Sequence, residues 1–320
     1  MRRTGILIAL GGNALHRPGG DNSWKEARTR LRAAVASLVR AARLGQPLVL
    51  THGNGPQVGL LLRQNELGGR EVPPLPMDVL GAETQGQIGY LLQTELTPAL
   101  RRARLPRTIL PIVSRTEVSR RDPAFRHPSK PVGRFYTDAE ARTFRKQLGW
   151  TMQYDGARGG WRRLVASPRP IGWLEGAIVR DLLAGPSGGH WIPVVTGGGG
   201  IPVVRGSGGA YEGVDAVIDK DLAAALVART LGLETLAIVT DVPGAAVAYG
   251  APGERWLGRI SVSELRGHRA RGEFGAGSMG PKVEAALDFL DHGGRDVVIC
   301  DIPSLPRALD GEAGTRVSAS

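Results

Sequence analysis

Three lysines, each in a stretch marked by glycine or proline, are the strongest candidates for catalytic residues by residue type and spacing. Lys220 lies between Asp219 and Asp221 at a predicted helix start. Lys282 follows a glycine and a proline, and Lys130 has a proline on either side within two residues. Only five of the 41 basic residues are lysines. Because an ammonium reaches a single oxygen where a guanidinium fork is bulkier, this bias indicates positions at which arginine would not serve.

Glycine-rich turns follow several predicted strands. They include Gly11–Gly12, His52–Gly59 and Gly197–Gly200. Free backbone N–H groups and the positive end of a helix favour phosphate, and a lysine adds a point charge. Two alternatives stay open: a plain tight turn beside a solvated Lys220, and an ordinary surface loop that carries Lys130. As a set, the turns and lysines favour phosphoryl transfer, which needs positioning and positive charge more than covalent chemistry.

The elements that must position these residues alternate between strands and helices. Thr4–Leu10, Ser23–Leu44 and Gln46–Thr51 read as strand, helix and strand, which predicts a right-handed crossover and parallel pairing. The later predicted strands are Arg107–Val113, Trp191–Val195, Ile201–Val204, Glu234–Thr240, Ala246–Tyr249 and Asp296–Cys300. The later predicted helices are Gly81–Leu100, a helix capped by Asp219, Ser261–Arg271, Val283–His292 and a short one near Pro303–Leu309. This alternation predicts an α/β fold, an open αβα sandwich with a mostly parallel central sheet.

The composition changes between Ser114 and Pro170. This stretch is rich in arginine, proline and tryptophan and lacks a sustained apolar period. We therefore expect a single domain over residues 1–320 with a small protruding, lid-like subdomain at about 116–167. In that arrangement the lid would deliver the charge of Lys130.

Several other functions are disfavoured by the sequence. It contains no P-loop motif and no kinase catalytic-loop motif, and Pro56 argues against a dinucleotide fingerprint at His52–Gly59. The net charge of +11 comes from scattered arginines without interleaved aromatic residues, so a solvated basic surface is preferred to a nucleic-acid site. No apolar run reaches membrane-spanning length, and a cytoplasmic protein is expected. The single cysteine, Cys300, is expected to be buried, and His52 to hold its loop rather than act as a base.

Six motifs, in order along almost the whole chain, resemble those of carbamate kinase, a member of the amino acid kinase superfamily. They are Ile8–Ala14, His52–Gly59, Lys130–Gly133, Gly197–Val204, Val217–Asp221 and Gly277–Lys282. The resemblance implies the amino acid kinase-like sandwich, a homodimer and the reversible reaction ATP + carbamate ⇌ ADP + carbamoyl phosphate. It further implies an enzyme of arginine catabolism that makes ATP, with Mg²⁺ bridging the nucleotide phosphates and no dedicated protein metal site. The composition leads us to expect a cytoplasmic protein with no nucleic-acid or membrane partner.

The resemblance also implies roles for individual residues. Lys220 and Lys282 would neutralise phosphoryl oxygens, Asp221 would orient the lysines, and Lys130 would reach carbamoyl phosphate. The residues implied for the transferring phosphate and carbamate are Gly11, Gly12, Asn13, Gly53, Asn54 and Gly55. Those implied for the ATP or ADP nucleotide are Gly198, Gly199, Asp241, Tyr249 and Met279.

Three positions depart from the family's common pattern: Pro243, Arg134 and Ala166. The first lies near the expected nucleotide site and the other two in the protruding subdomain. A kinase of the same superfamily acting on another small acid or a phosphonate is the alternative enzyme. A regulatory or nucleic-acid-binding protein with a retained kinase fold is the alternative from another class.

Overall fold

The computed structural model describes residues 3–12, 20, 23–45, 47–69, 71–156, 158–275 and 279–319. The helices are α1 (Trp24–Ala42), α2 (Gly55–Gly68), α3 (Met77–Arg102), α4 (Asp138–Leu148), α5 (Gly176–Ala184), α6 (Lys220–Leu231), α7 (Val262–Ala270), α8 (Met279–Asp291) and α9 (Leu305–Leu309). No helix among these residues is long and apolar enough to cross a membrane.

The strands form one large sheet and three small ones. The large sheet contains β1 (Arg3–Leu10), β2 (Leu48–His52), β3 (Thr108–Pro111), β9 (Trp191–Val194), β12 (Leu233–Thr240), β15 (Arg259–Ser261), β16 (Asp296–Asp301) and β17 (Thr315–Ser318). The small sheets contain β4 (Arg115–Val118), β8 (Pro170–Trp173), β10 (Ile201–Arg205) and β11 (Tyr211–Gly213); β5 (Lys130–Tyr136), β6 (Thr151–Asp155) and β7 (Gly160–Val165); and β13 (Ala246–Val247) with β14 (Arg255–Trp256).

The large sheet is mostly parallel and buried on both faces. Its order is β15-β17-β16-β12-β1-β2-β9-β3, and only β17 runs antiparallel to its neighbour β16. Along β1, Leu7 and Ala9 pack with the helices of one face, whereas Ile6, Ile8 and Leu10 pack with those of the other. This alternation follows from the period of two in a strand. The predicted αβα sandwich with a mostly parallel sheet is confirmed.

The connections between the strands indicate at which edge of the large sheet a ligand would bind. From β1 the chain passes through α1 to β2, which pairs with one side of β1. The strand β12 is the fifth of the eight strands of this sheet in chain order, and it pairs with the other side of β1. The chain therefore reverses direction across the sheet at β1. In open α/β sheets, ligands bind at the carboxyl ends of the strands beside such a reversal.

A separate antiparallel sheet lies over this edge. It has the order β5-β7-β6 and carries α4. Val132 of β5 and Val165 of β7 pack against Val58 and Leu62 of α2, which fixes the small sheet on the main fold. The limits of the protruding subdomain, 116–167, and the division of the chain into domains stay a prediction.

Several elements differ from the sequence prediction. α2 begins at Gly55, inside the stretch predicted as the glycine loop His52–Gly59, and Pro56 occupies its first turn. The strand β2 ends at His52, one residue later than expected, and α8 begins at Met279, four residues earlier than expected. The helix α4 was not predicted from the sequence, although Thr137 and Glu140 form a full capping box at its start.

Candidate active site

A cavity of about 360 Å³ lies at the carboxyl edge of the large sheet, beneath the β5-β7-β6 sheet. We call it the lysine-lined cavity, because Lys130, Lys220 and Lys282 all line it. Gly12, Gly53, Asn54 and Gly55 also contribute to its wall. Residues that are separated by up to 270 positions in sequence are thus brought to one site.

The floor of the cavity is built by the ends of β1 and β2. The backbone N–H of Gly53 donates to the carbonyl of Leu10 at 2.9 Å, which ties the two strand ends together. Gly11 is buried beneath the cavity, and a Cβ at this position would lie 2.7 Å from the carbonyl oxygen of Val239. Close packing of strands therefore accounts for the glycine at 11. Asn13 lies outside the described residues.

The helix α2 points its N-terminus at the cavity. Its first residue, Gly55, lines the cavity, so the end of α2 at which backbone N–H groups have no partner within the helix faces the space. Asn54 makes no side-chain cap, and its Nδ2 donates to Thr84 Oγ1 at 2.9 Å. This bond holds the buried Asn54 amide in one orientation at the cavity wall.

A buried carboxylate holds two of the lysines. Asp221 is 3% exposed, and its Oδ1 and Oδ2 accept from Lys220 Nζ at 2.5 Å and Lys282 Nζ at 3.1 Å. Lys220 and Asp221 begin α6, and Lys282 lies in the first turns of α8. Because each carboxylate oxygen takes one ammonium, Asp221 fixes both positive charges on the same side of the cavity.

The charge state of Asp221 follows from this arrangement. Burial alone raises the pKa of a carboxyl group, but the two ammonium groups and their hydrogen bonds outweigh it. The pKa of Asp221 is therefore lowered to about 2. Asp221 is ionised throughout the neutral range and keeps both lysines paired.

A second aspartate receives the lysine of the small sheet. Asp219 caps α6, with its Oδ1 accepting from the backbone N–H of Asp221 at 2.9 Å. Its Oδ2 accepts from Lys130 Nζ at 2.9 Å, across a separation of 89 residues. The cap is predictable from the sequence, but the ion pair is not, because no local pattern reveals a contact over this separation. Lys130 thus faces the cavity and does not belong to a solvated loop.

The glycine run 197–200 forms a tight 3₁₀ turn beside the cavity. Gly198 has a φ of +67°, and a Cβ there would lie 2.2 Å from Asn54 Nδ2. Gly199 has a φ of +98°, with the carbonyl oxygen of Ile218 at 2.3 Å from a Cβ. Gly198 lines the lysine-lined cavity. Neither glycine contributes to the second cavity described below, as far as the described residues extend, so their assignment to the nucleotide stays a prediction.

The side chain of Gln85 from α3 holds this glycine turn. Its Nε2 donates to the carbonyls of Ser114 and Gly197 at 3.1 and 3.2 Å, and its Oε1 accepts from the Ser114 backbone N–H at 2.7 Å. Gln85 lies within the predicted helix Gly81–Leu100, but its role at the glycine turn was not predicted from the sequence. A buried glutamine at helical spacing among apolar residues is the signal that could have found it.

A second cavity, of about 460 Å³, brings together Asp241, Tyr249 and Met279. All three were expected around the nucleotide. Asp241 follows β12, and Tyr249 stacks edge-on against Trp256 with ring centroids 6.0 Å apart. Met279 and Lys282 lie on the same helix, α8, so the start of α8 joins the second cavity to the lysine-lined cavity.

Arg134, one of the departures from the common pattern, fastens the small sheet to α2. Its Nε donates to Glu66 Oε2 at 3.1 Å and its Nη2 to Glu140 Oε1 at 2.7 Å, while the guanidinium lies 4.3 Å from the centre of the Tyr136 ring. Tyr136 also hydrogen-bonds to Glu66. Ala166, a second departure, forms an isolated parallel bridge with Ala216.

The two remaining sequence expectations concern Cys300 and His52. Cys300 is a buried free thiol, and burial raises its pKa to about 12, so a buried structural role is confirmed. His52 is 1% exposed, and its Nδ1 lies 3.1 Å from the carbonyl oxygen of Gly53. Burial lowers the pKa of His52 to about 4, and the charge of Lys220 acts in the same direction. A neutral, enclosed imidazole bonded to its own loop fits a structural role better than that of a base.

Replacing His52 with asparagine tests this assignment through the pH dependence of stability. Because the folded-state pKa of about 4 lies below the usual 6.5, the unfolded chain binds a proton more readily between these values. Lowering the pH from 7 to 5 should therefore reduce the free energy of unfolding of the wild type. This reduction should be about 2 kcal/mol larger than the one in His52→Asn. Urea titrations at both pH values measure this, and equal losses in the two proteins would contradict the assignment.

Known proteins resemble this chain over its whole length. The model of the amino acid kinase family matches residues 153–301. A carbamate kinase from Thermococcus kodakarensis is 42% identical, with 98% of both chains covered. A crystal structure from Aeropyrum pernix K1 has a TM-score of 0.92 at 42% identity, covering 99% of this chain and 100% of that one.

A carbamate kinase from Giardia lamblia bound to AMP-PNP is similar as well. It has a TM-score of 0.90 at 38% identity, and the match covers 99% of this chain and 98% of that one. Sequence identity near 40% over the full length indicates membership of one family and not only a shared fold. The motifs and the lysine-lined cavity of this chain agree with that membership. This chain belongs to the carbamate kinase family of amino acid kinases.

Proposed function

We propose that this protein is a carbamate kinase, a phosphotransferase that catalyses ATP + carbamate ⇌ ADP + carbamoyl phosphate. The observation that carries the proposal is the lysine-lined cavity, in which Asp219 and Asp221 hold Lys130, Lys220 and Lys282 around one space. A transferring phosphoryl group spreads negative charge over its oxygens, and fixed ammonium groups stabilise that charge. Relatives named carbamate kinase share the full length of the chain.

The reaction does not require acid–base catalysis by the protein. Carbamate is already an anionic oxygen nucleophile, so the transfer requires no general base. The histidine beside the cavity, His52, is buried with its pKa lowered to about 4 and bonded to its own loop. We therefore assign catalysis to positioning and charge: Lys220 and Lys282 act on the phosphoryl oxygens, and Lys130 acts on carbamoyl phosphate.

The backbone completes the proposed phosphate site. Gly12, Gly53 and Gly55 leave the cavity floor without side chains, and the α2 N-terminus adds its partial positive charge. A Cβ at Gly53 would lie 3.1 Å from Lys220 Cδ, so the glycine also gives the lysine room to extend. Asn54, held by Thr84, would orient the substrate. The roles of Gly11 and Asn13 at this site remain proposals from the resemblance.

We place the nucleotide in the second cavity, near Asp241, Tyr249 and Met279. Support comes from its position next to the lysine-lined cavity and from the Giardia lamblia relative, which was solved with AMP-PNP. Gly198, which lines the lysine-lined cavity, and its neighbour Gly199 would then border the nucleotide phosphates from the side of that cavity.

Magnesium would enter with the nucleotide. No group of three or more potential ligands occurs among the residues that the structure describes, and the carboxylates of Asp219 and Asp221 are engaged by lysines. This donor set fits an ion held by phosphate oxygens and water. When bound, Mg²⁺ would neutralise phosphate charge.

Further parts of the proposal rest on the family resemblance alone. They are a homodimer, a cytoplasmic location, the direction that makes ATP from carbamoyl phosphate, and a role in arginine catabolism. Size-exclusion chromatography with light scattering measures the first of these directly. A mass near 33.9 kDa in dilute solution would contradict the homodimer.

The function is tested by supplying ADP and Mg²⁺ with a panel of phosphoryl donors. We expect ATP formation with carbamoyl phosphate at a kcat/KM at least tenfold above that with acetyl phosphate. Folded protein that makes no ATP from carbamoyl phosphate would contradict the proposal. Faster transfer from another acyl phosphate or from a phosphorylated phosphonate would instead assign the chain to a different kinase of the same superfamily.

A further inference from the structure

A fourth cation, Arg162, lines the lysine-lined cavity. It lies on β7, within the small sheet that also carries Lys130. The three lysines of the cavity are each paired with Asp219 or Asp221. Arg162 differs from them, because no carboxylate of the described part of the chain lies within 4.0 Å of its guanidinium.

The surroundings of Arg162 hold its side chain in place but do not provide hydrogen-bond acceptors for all of its donors. The guanidinium lies 4.8 Å from the centre of the Phe135 ring, a cation–π distance. Its Nε is buried and has no hydrogen-bond partner among the described residues. Successive side chains of a strand point to opposite faces, and the adjacent Arg163 pairs with Asp215 and stacks on Trp150. Arg162 is thus a partly buried donor beside the cavity that still lacks an acceptor.

The charge balance of the cavity calls for an anion. Among the described residues that line it, three lysines and Arg162 face the two carboxylates of Asp219 and Asp221, which leaves two positive charges. A small acyl phosphate carries about two negative charges near neutral pH. Partly buried cations without counterions are costly, so a dianionic ligand would stabilise this arrangement.

The position of Arg162 indicates which part of such a ligand it contacts. Lys220 and Lys282 stand at the starts of α6 and α8, and α8 continues directly into the second cavity through Met279. They therefore lie on the nucleotide side. Arg162 and Lys130 come from the small sheet, which covers the cavity from the opposite side. An anion between the two groups would turn its phosphoryl end to the helices and its acyl end to the sheet.

We propose that Arg162 binds the acyl oxygens of the small substrate, the carboxylate-like end of carbamate or carbamoyl phosphate. This assignment rests on the function proposed above. A guanidinium presents two parallel N–H donors that match a planar O–C–O group, which a lysine ammonium cannot do. Arg162 thereby supplies geometric selection of the acyl group, while Lys220 and Lys282 act on the transferring phosphoryl group.

The test compares three variants in the direction of ATP formation. Arg162→Met removes the charge and fork but keeps an unbranched chain over Phe135, and Arg162→Lys keeps the charge alone. Arg145→Met is the matched control: Arg145 lies 4.3 Å over the Trp161 ring in the same small sheet region and does not line the cavity. The expected size of the change in KM follows from the binding energy that a charge-assisted hydrogen bond contributes.

We expect the KM for carbamoyl phosphate to rise by about 10- to 100-fold in Arg162→Met, with the KM for ADP changed by less than about threefold. Arg162→Lys should recover part of this loss, and Arg145→Met should behave as the wild type. If Arg162→Met does not fold, Arg162→Lys still decides the question, since a change in the KM for carbamoyl phosphate is expected there too. Unchanged KM values in folded Arg162 variants would overturn the proposal.

A binding measurement separates this proposal from the proposed function. If the wild type makes no ATP, calorimetric titration with acetate, which presents the planar O–C–O group assigned to Arg162, compares the wild type with Arg162→Met. Binding that weakens only in the Arg162 variant would keep an anion site at Arg162 while the carbamate kinase reaction fails. Equal binding by both proteins would overturn the Arg162 site as well.

Discussion

Replacing Asp221 with asparagine is expected to lower kcat for ATP formation by about 10²- to 10³-fold. Asp221 is buried and accepts from both Lys220 and Lys282, so an amide in its place leaves two ammonium groups close together with no counterion. They would separate, and the donors would leave the positions where phosphoryl charge develops. Loss of one well-placed donor from a site of this kind costs about this much. Initial rates under saturating ADP and carbamoyl phosphate measure the effect.

The same replacement should also reduce stability. Breaking a buried ion pair by removing one partner typically costs about 3–5 kcal/mol. The folded-state pKa of Asp221, about 2, lies below the ordinary 3.8, so its contribution is complete above pH 3.8 and is lost as the pH falls towards 2. Asp221→Asn should remove this acid dependence, which urea unfolding between pH 5 and pH 2.5 measures.

A matched control separates this effect from the loss of any negative charge. Asp310 pairs with Arg40 at 3.4 Å, but both side chains are exposed. Asp310→Asn should change kcat by less than about twofold and stability by less than about 1 kcal/mol. Equal losses in the two variants would refute the assignment of Asp221 as the residue that orients the lysines.

Replacing Lys220 with arginine is expected to lower kcat by about 10²-fold although the positive charge is retained. The side chain of Lys220 extends past Gly53, where a Cβ would already lie 3.1 Å from its Cδ, and its Nζ bonds to Asp221 at 2.5 Å. A planar guanidinium is larger and cannot place a point charge in the same narrow space. Steady-state kinetics of the purified variant tests this expectation.

Lys146 provides the control for the lysine-to-arginine change. It lies on α4 and is exposed. Lys146→Arg should have wild-type kinetics. If Lys220→Arg were equally active, charge alone would be sufficient at position 220, and the argument from the scarcity of lysine in this sequence would fail.

Local signals in the sequence predicted the frame of the fold well. The apolar run of β1, the cap at Asp219 and the capping box at Ser261 each involve residues within a few positions of one another. Such signals act through local backbone geometry, so no tertiary contact is needed to see them. The alternation of strands and helices then fixed the class of fold.

Elements that depend on tertiary pairing were harder to predict. The edge strand β17 has only four residues and pairs antiparallel with β16, and β15 pairs with β17 through three residues. Neither has enough length to show a period of its own. The start of α2 was read as a loop because glycine and proline, which usually end regular structure, here form its first turn.

The candidate site was predictable in its residue types more than in its contacts. The rarity of lysine singled out Lys130, Lys220 and Lys282, and all three line one cavity. The bond from Lys130 to Asp219 spans 89 residues, and only the packing of the small sheet creates it. Arg162 was hidden among many arginines, because only the folded protein shows that no carboxylate of the described residues pairs with it.

The central claim is that the lysine-lined cavity transfers a phosphoryl group between carbamoyl phosphate and ADP, with Asp221 holding two of its lysines. Its most direct test follows radiolabelled phosphorus from carbamoyl phosphate in the presence of ADP and Mg²⁺, in the wild type and in Asp221→Asn. We predict that the wild type moves the label into ATP with one ATP formed per carbamoyl phosphate consumed, and that the variant is slower by about 10²-fold or more. Release of the label only as inorganic phosphate, or equal transfer by both proteins, would contradict the account.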